Sequence, residues 1–497
     1  MGEKPKIKYF SMKKLFVFPF ILLFSTGFSQ YSISEIPEDG YLKDFDIAVD
    51  IIQKQHPNPY RFHSKETITR KLDSLRNEIK KNPGYINLLI NNPTRIIGDG
   101  HSSFGTDSNY FEDVMNSISY FPLSTYVHNG VIYVNGANKY AIETGSEITE
   151  INGLSADTIL KRIPKAADGN IKVEDLDISF NIPFILNNRT NDYTLKYRAL
   201  NGAQKTVKVS GIQYPQYYYE TKHAVLPIDL VSENYGIYGY KIDPETYYLS
   251  VKSFSYDESF FYERLKKYFQ EIRDLKSKKL IIDIRNNSGG AISNVALLYS
   301  FIAAEKSFNN EYKYGTKVVD INYTNYLIDP QTNQYYSDKD ITDLNNFMRQ
   351  RFDKGEKGDY YFGNSRLDNT YIKSYPRDGL FFDGKTLLLT NNRTFSAATY
   401  FASLFKTEKR GEIVGKETGS CSNFTTAAWF LSYRLPNTKS TLSIPRTEIF
   451  FNSNDKENVA HCTGVIPDHS IKSDYFLKSL KEQKDPELEY SLKLLSQ

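Results

Sequence analysis

The apolar positions change their period from one stretch of the chain to the next, and each change marks a predicted element. Phe45, Val49, Ile51 and Ile52 line one face of a helix that ends at His56 and Pro57, and Ser64 caps a second helix carrying Ile68, Leu72 and Leu75. From about 116 to 212 the period shortens to that of strands: GVIYV, SEITEING, then YTLKYRAL and KTVKV joined by an Asn201, Gly202 turn. Between them, Ser155 opens a helix containing Ile159, Leu160 and Ile163. Asp257 caps a long helix with Phe261, Leu265, Tyr268, Ile272 and Leu275 on one face, which feeds the strand KLIIDIR and then Asn286, Asn287, Ser288, Gly289 and Gly290. A continuous apolar strand preceded by a helix belongs to a sheet covered on both faces. The fold class is therefore α/β: a core of mixed sheet with flanking helices, plus a helical N-terminal region and a small β-rich domain.

The same periodicity divides the chain into a segment at 1–29, a helical region at 30–115, the β-rich domain at 116–212, a core at 213–475 and a helical tail at 476–497. Residues 306–380 are polar and rich in Tyr, Asn and Asp, which predicts an insertion over the core with a short helix around Leu344 to Phe352; it suits a lid or surface decoration. At the start, Lys13 and Lys14 precede the apolar run Leu15 to Phe24 and the small-residue pattern Gly27, Phe28, Ser29. These match a secretory signal peptide cleaved before Gln30, and the run is too short for a membrane span. The expectation is an exported, periplasmic or extracellular protein without stable membrane insertion, with an uncleaved anchor as the alternative.

Composition narrows the function classes. The 62 basic and 59 acidic residues give a net charge of +3 with no long run of one sign, so no nucleic-acid partner is expected. Tyr and Phe number 39 and 32; only Tyr217, Tyr218 and Tyr219 are dense enough to suggest a contact surface. His461, Cys462 and His469 lack zinc spacing, and neither a metal nor another cofactor is expected. Cys421 and Cys462 are the only cysteines; in an exported chain they are either paired or two buried thiols.

Candidate chemistry lies in three turns. In TLLLTNNRTFSAATYFASLFK, from Thr386 to Lys406, a strand breaks in a polar turn and a helix follows with Ala397, Tyr400, Phe401 and Leu404 on one face. Ser396 stands at the helix start, where the unpaired N–H groups of the first turn favour negative charge. That position suits a nucleophile whose attack creates an oxyanion, and it equally suits a capping serine. Gly289 and Gly290 allow close backbone approach, and with the N–H of Ala397 they make a candidate oxyanion hole. In RIIGDGHSSFG, His101 follows Gly98, Asp99 and Gly100 in an irregular turn; it is either a projecting base or a structural turn histidine.

Taken together, LIIDIRNNSGG, TFSAATYFA, EIVGKETG and GVIPDH, in this order behind GSEITEING, which is similar to the core of a PDZ domain, resemble the tail-specific or C-terminal processing serine proteases. The tricorn core protease and the repeats of interphotoreceptor retinoid-binding protein belong to the same group, and the likeness spans roughly residues 90 to 475. The resemblance implies a serine peptidase acting on peptide or protein substrates, with Ser396 as nucleophile and Gly289 or Gly290 in the oxyanion hole. The processing branch has a lysine base in G-x-x-T-x-G-K; here Gly415 to Cys421 matches that string, and Cys421 replaces the lysine. The tricorn-like branch has a histidine base matched by His101, and a late glutamate matched by Glu448 in IPRTEIFF. Tricorn carries a serine before its histidine where Gly100 stands here, so a hydroxyl linking His101 to Glu448 is missing or comes from Ser102 or Ser103. A catalytically inactive peptide- or ligand-binding protein on the same scaffold is the alternative. Oligomeric state is not legible.

Overall fold

The computed structural model describes residues 33–497 apart from 164–167, 170, 173, 175, 187–190, 223–235, 304–307, 309–311, 357, 368–378, 452–461 and 483. The segment expected as a signal peptide, with Gln30 as the first mature residue, and His461 lie outside the described residues. Within them, no helix is long and apolar enough to cross a membrane.

The centre is a five-stranded sheet in the order Glu412–Gly415, Lys385–Thr390, Lys279–Asp283, Thr246–Val251, Ile237–Lys241. The first four strands are parallel and the last is an antiparallel edge. Helices Glu258–Asp274, Ile292–Ser300 and Ala397–Thr407 lie between the parallel strands in the chain, as parallel pairing requires. Asp257 caps the first of them, its Oδ1 accepting from the Ser259 N–H at 3.1 Å. Alternation along the strands fills both faces. Leu280, Ile282 and Leu388 pack with Phe261, Leu265 and Phe401, while Ile281, Leu387 and Leu389 pack with Phe476 and Leu495 of the C-terminal segment. The continuous apolar run KLIIDIR is the consequence of this two-sided cover.

That C-terminal segment is two helices, Ser473–Glu482 and Pro486–Ser496, rather than one tail helix. Pro486 cannot continue the first but suits the opening turn of the second, and the Asp485 side chain accepts from the Leu488 N–H. The same Asp485 reaches the central sheet. The Arg285 guanidinium, 1% exposed, donates to Asp283 Oδ2 at 2.7 Å and to Asp485 Oδ2 at 2.7 Å.

The helical N-terminal region is continuous with the core. Helix Gly40–Gln55 ends, and helix Lys65–Lys81 begins, where the sequence predicts, with Ser64 accepting from the Thr67 N–H. Their apolar faces share a cluster with Leu431, Tyr433 and Leu442. Strand Ser103–Gly105, which starts two residues after His101, pairs antiparallel with Thr441–Ile444. The β-rich segment is a separate antiparallel sheet, ordered Thr125–His128, Val131–Val134, Glu147–Ile151, Asp192–Arg198, Gln204–Ser210, with its own core around Phe121, Ile148, Ile159 and Leu195. Within the expected insertion, helix Asp338–Arg351 is preceded by Tyr312–Thr316 and followed by Phe352–Lys354 and Tyr361–Gly363. These three strands join Thr447–Phe451 and Phe424–Ala427 in one sheet, so this part completes the scaffold under Glu448. Tyr217 stacks on Tyr120, whereas Tyr218 and Tyr219 are exposed.

Replacing Arg285 with alanine leaves Asp283 buried with the Tyr248 hydroxyl as a donor and, among the described residues, Lys252 at 3.8 Å as its remaining cation. Breaking a buried charge pair in this way costs about 3–5 kcal/mol, so Arg285→Ala should lower the urea midpoint accordingly, and a loss below about 1 kcal/mol would contradict this account.

Candidate active site

Two turns meet at the carboxyl ends of neighbouring parallel strands. Asp283 lies in register with Leu389, so the chain leaving each strand enters the same crevice. The turns are bonded directly to each other. The Asn286 N–H donates to Asn391 Oδ1 at 3.0 Å, and Asn391 Nδ2 donates back to Asn286 Oδ1 at 2.8 Å. The Thr394 hydroxyl donates to the Ile284 carbonyl at 3.0 Å, and the Phe395 N–H to the Asn287 carbonyl at 2.9 Å.

This arrangement fixes Ser396 in an unusual backbone conformation, φ 56° and ψ −125°, at the N-cap of helix Ala397–Thr407. Its side chain makes no capping hydrogen bond. Instead, its N–H donates to Ser420 Oγ at 2.8 Å. A left-handed φ in a non-glycine residue is held only where its surroundings determine it, and such residues cluster at functional sites. Gly289, at φ +101°, faces Ser396 so closely that a Cβ there would lie 2.7 Å from Ser396 Cβ and 2.9 Å from the Ala397 nitrogen. The Gly289 N–H donates within its own turn, to Asn287 Oδ1 at 2.8 Å. Among the described residues, the N–H groups of Gly290 and Ala397 have no hydrogen-bond partner.

His101 is carried to this crevice by packing. Its ring lies 4.6 Å from the ring of Phe395, the residue before Ser396, and 6.3 Å from that of Phe430. Gly100 explains the departure from a serine at that place: a Cβ would come within 2.7 Å of Phe395 Cζ and 3.1 Å of Asp168 Oδ1. Both ring nitrogens of His101 are buried without a hydrogen-bond partner. Burial holds the imidazole pKa below its ordinary value, against a weaker upward pull from Asp99.

The carboxylate beside His101 is Asp99, with Oδ1 at 3.8 Å from Nδ1. Asp99 accepts from the His101 N–H at 2.8 Å, from the Ser102 hydroxyl at 2.6 Å and from His56 Nε2 at 2.9 Å. The His56 tautomer follows from its other nitrogen, which accepts from the Asn58 N–H at 3.2 Å. Despite burial, these donors and the two neighbouring imidazoles hold the Asp99 pKa down. Asp168 is the opposite case. Its Oδ1 accepts from the Gly100 N–H at 2.8 Å, its Oδ2 has no partner, and burial followed by the charge of Asp99 pushes its pKa well above the carboxylate range.

Glu448 does not join His101 by a hydrogen bond, directly or through Ser102 or Ser103. Its carboxylate is taken by Arg61, Nε to Oε1 at 2.7 Å and Nη2 to Oε2 at 2.6 Å, and by the Tyr360 hydroxyl. Ser102 turns to Asp99 instead, and Ser103 lies in a strand opposite Ser443. Lys416 is likewise engaged, with Nζ 2.8 Å from Glu174 Oε2. Cys421 and Cys462 are bonded to each other, next to Ser420 and thus one residue from the Ser396 support. Sequence reasoning missed Ser420, Asp168 and Tyr360; none has a local motif that marks it.

Gly100→Ser would drive a side chain into Phe395 and Asp168. Overpacking of this kind costs about 1–3 kcal/mol, and the expected outcome is a lowered unfolding midpoint together with a shifted His101 ring resonance. An unchanged midpoint would show that the Phe395 ring yields.

Comparison with known proteins fits this geometry. Residues 245–471, which carry both turns, match the model of peptidase family S41. The fold is similar to that of mature CPAF complexed with lactacystin, at 14% identity and a TM-score of 0.56, covering 92% of this chain and 97% of that one. A second structure of mature CPAF gives 15% identity and a TM-score of 0.54, over 91% and 95% of the two chains. No curated protein sequence matches. Residues 245–471 thus match the serine-type peptidases of family S41, and the fold around them is that of such a peptidase.

Proposed function

We propose that the protein is an exported endopeptidase that cleaves peptides or unfolded chains through an acyl-enzyme at Ser396, with His101 as general base. One observation carries the reading: Ser396 stands in a left-handed conformation at a helix start, its side chain unused as a cap, opposite a glycine with no room for a Cβ. In this mechanism the Ser396 hydroxyl attacks the scissile carbonyl and passes its proton to His101, which returns it to the leaving amine. The developing oxyanion takes hydrogen bonds from the Ala397 and Gly290 N–H groups. Gly289 keeps the space open, because its own N–H is committed to Asn287. The imidazolium formed is stabilised by Asp99 at 3.8 Å. Glu448 acts at longer range, through Arg61 and Tyr360, by fixing the sheet beside the crevice.

Export is supported by the N-terminal pattern from Lys13 to Ser29 and by the Cys421–Cys462 disulfide, a bond that persists in oxidising compartments. N-terminal sequencing of the secreted protein should begin at Gln30, and a product retaining the Leu15 to Phe24 run would overturn this. The β-rich sheet is proposed to receive the substrate chain at an edge, as PDZ-like modules do.

Labelling with a serine-reactive phosphonate should map to the Ser396 peptide, and Ser396→Ala or His101→Ala should lower kcat by roughly four to six orders of magnitude. Glu448→Gln should cost less. Since only the neutral imidazole accepts the serine proton and burial lowers its pKa, kcat/KM should hold steady as pH falls through the ordinary value of about 6.5 and drop only below it. Retained turnover in His101→Ala, with loss in a folded Lys416→Ala, would transfer the base to lysine. A protein that binds peptide but neither labels nor turns over would be the inactive scaffold instead.

A further inference from the structure

The mechanism leaves one buried group unused. Asp168 is 1% exposed, its Oδ2 makes no hydrogen bond although the Cys421 amide faces the carboxyl, and it stands beside Asp99 and His101. One ligand atom from each of these three residues can be chosen so that all lie within 4.8 Å of one another. Two of the three donors, Asp168 Oδ2 and the His101 ring nitrogens, are buried and unpartnered, and both belong to this one cluster. Among the described residues, no lysine or arginine pairs with Asp99 or Asp168.

We propose that Asp99, His101 and Asp168 form a zinc site, and that a zinc ion bound there holds the enzyme inactive. An imidazole nitrogen and carboxylate oxygens are all zinc donors, and zinc binding would displace the proton that Asp168 otherwise holds, so that two carboxylate charges neutralise the divalent ion. At zinc bond lengths of about 2.1 Å the ligand atoms sit roughly 3.4 Å apart, so the cluster has to close by up to about 1.4 Å. The surrounding hydrogen bonds already have the form that orients metal ligands. His56 Nε2 and the Ser102 hydroxyl donate to Asp99, and the Gly100 N–H donates to Asp168. His101, 10% exposed at its side chain, is more open than Asp99, at 1%. A metal on its lone pair removes the acceptor for the Ser396 proton. This inhibitory consequence rests on His101 being the base; the binding itself does not.

Binding is therefore tested where no turnover occurs, in full-length Ser396→Ala protein titrated with zinc chloride by calorimetry and with cobalt(II) by visible absorption. The expected result is one zinc per chain and an intense cobalt band of low coordination number. Asp168→Asn and His101→Gln, introduced separately into the same protein, should each weaken zinc at least about tenfold and abolish the band. The proposal is overturned if the parent takes up no zinc, or if either variant, folded by circular dichroism, binds it as the parent does. Should one variant fail to fold, the other decides. An unrelated surface site would be indifferent to both changes.

Discussion

The reciprocal amide pair between Asn286 and Asn391 is the interaction on which the crevice depends. Parallel pairing brings the ends of strands Lys279–Asp283 and Lys385–Thr390 side by side, but strand register alone does not fix the loops beyond them. The two asparagines do, because each side chain bonds the other turn and Asn286 takes the left-handed conformation, φ 62°, that asparagine tolerates better than most residues. With the Thr394 and Phe395 bonds, four hydrogen bonds of about 1 kcal/mol each join the turns. That total is of the size needed to hold Ser396 in a conformation costing about 1–3 kcal/mol. The strain and the staple are parts of one design.

What was legible in the sequence was local. The strand, turn and helix around Ser396 follow from a period change within twenty-odd residues, and the caps at Ser64, Ser155 and Asp257 follow from residue type beside an apolar face. The two-sided burial of KLIIDIR was legible for the same reason. The break at Pro486 had a local signal too, but the amphipathic pattern on either side of it reads as continuous. Most of the rest depends on contacts between distant residues. Nothing near Tyr360 announces that its hydroxyl will meet Glu448, 88 positions away, and nothing near Asp168 announces the turn of Gly100. The disulfide sits between these cases: two cysteines in one chain make the pair possible, and only the fold brings their Cα atoms to 5.0 Å.

Long-range contacts also explain why the N-terminal helical region cannot be separated from the catalytic half. His101 is placed by Phe395 on one side and by the strand Ser103–Gly105 on the other, and that strand is an edge of a core sheet. The Lys416 to Glu174 pair and the Glu174 N–H to Asn392 Oδ1 bond, at 3.0 Å, tie the β-rich segment to the serine turn as well. A ligand that shifts this segment therefore acts on a residue four positions from Ser396. That coupling is physical and short, which is the condition for substrate contacts outside the crevice to influence chemistry within it.

The electrostatics around His101 follow from which carboxyl has donors. Asp99 and Asp168 are both buried, yet one gathers three hydrogen bonds and the other one, so burial is offset in the first and outweighs the backbone donors in the second. The outcome is one anion beside the imidazole rather than two. A single anion is enough to stabilise the imidazolium once it forms, while burial keeps the resting ring neutral and ready to accept a proton. Were both carboxyls ionised, the ring would be drawn toward its charged form before substrate arrived. Hydrogen-bond supply, set by where the Gly98 to Ser102 turn folds back on itself, thus decides the protonation state on which the proposed chemistry depends.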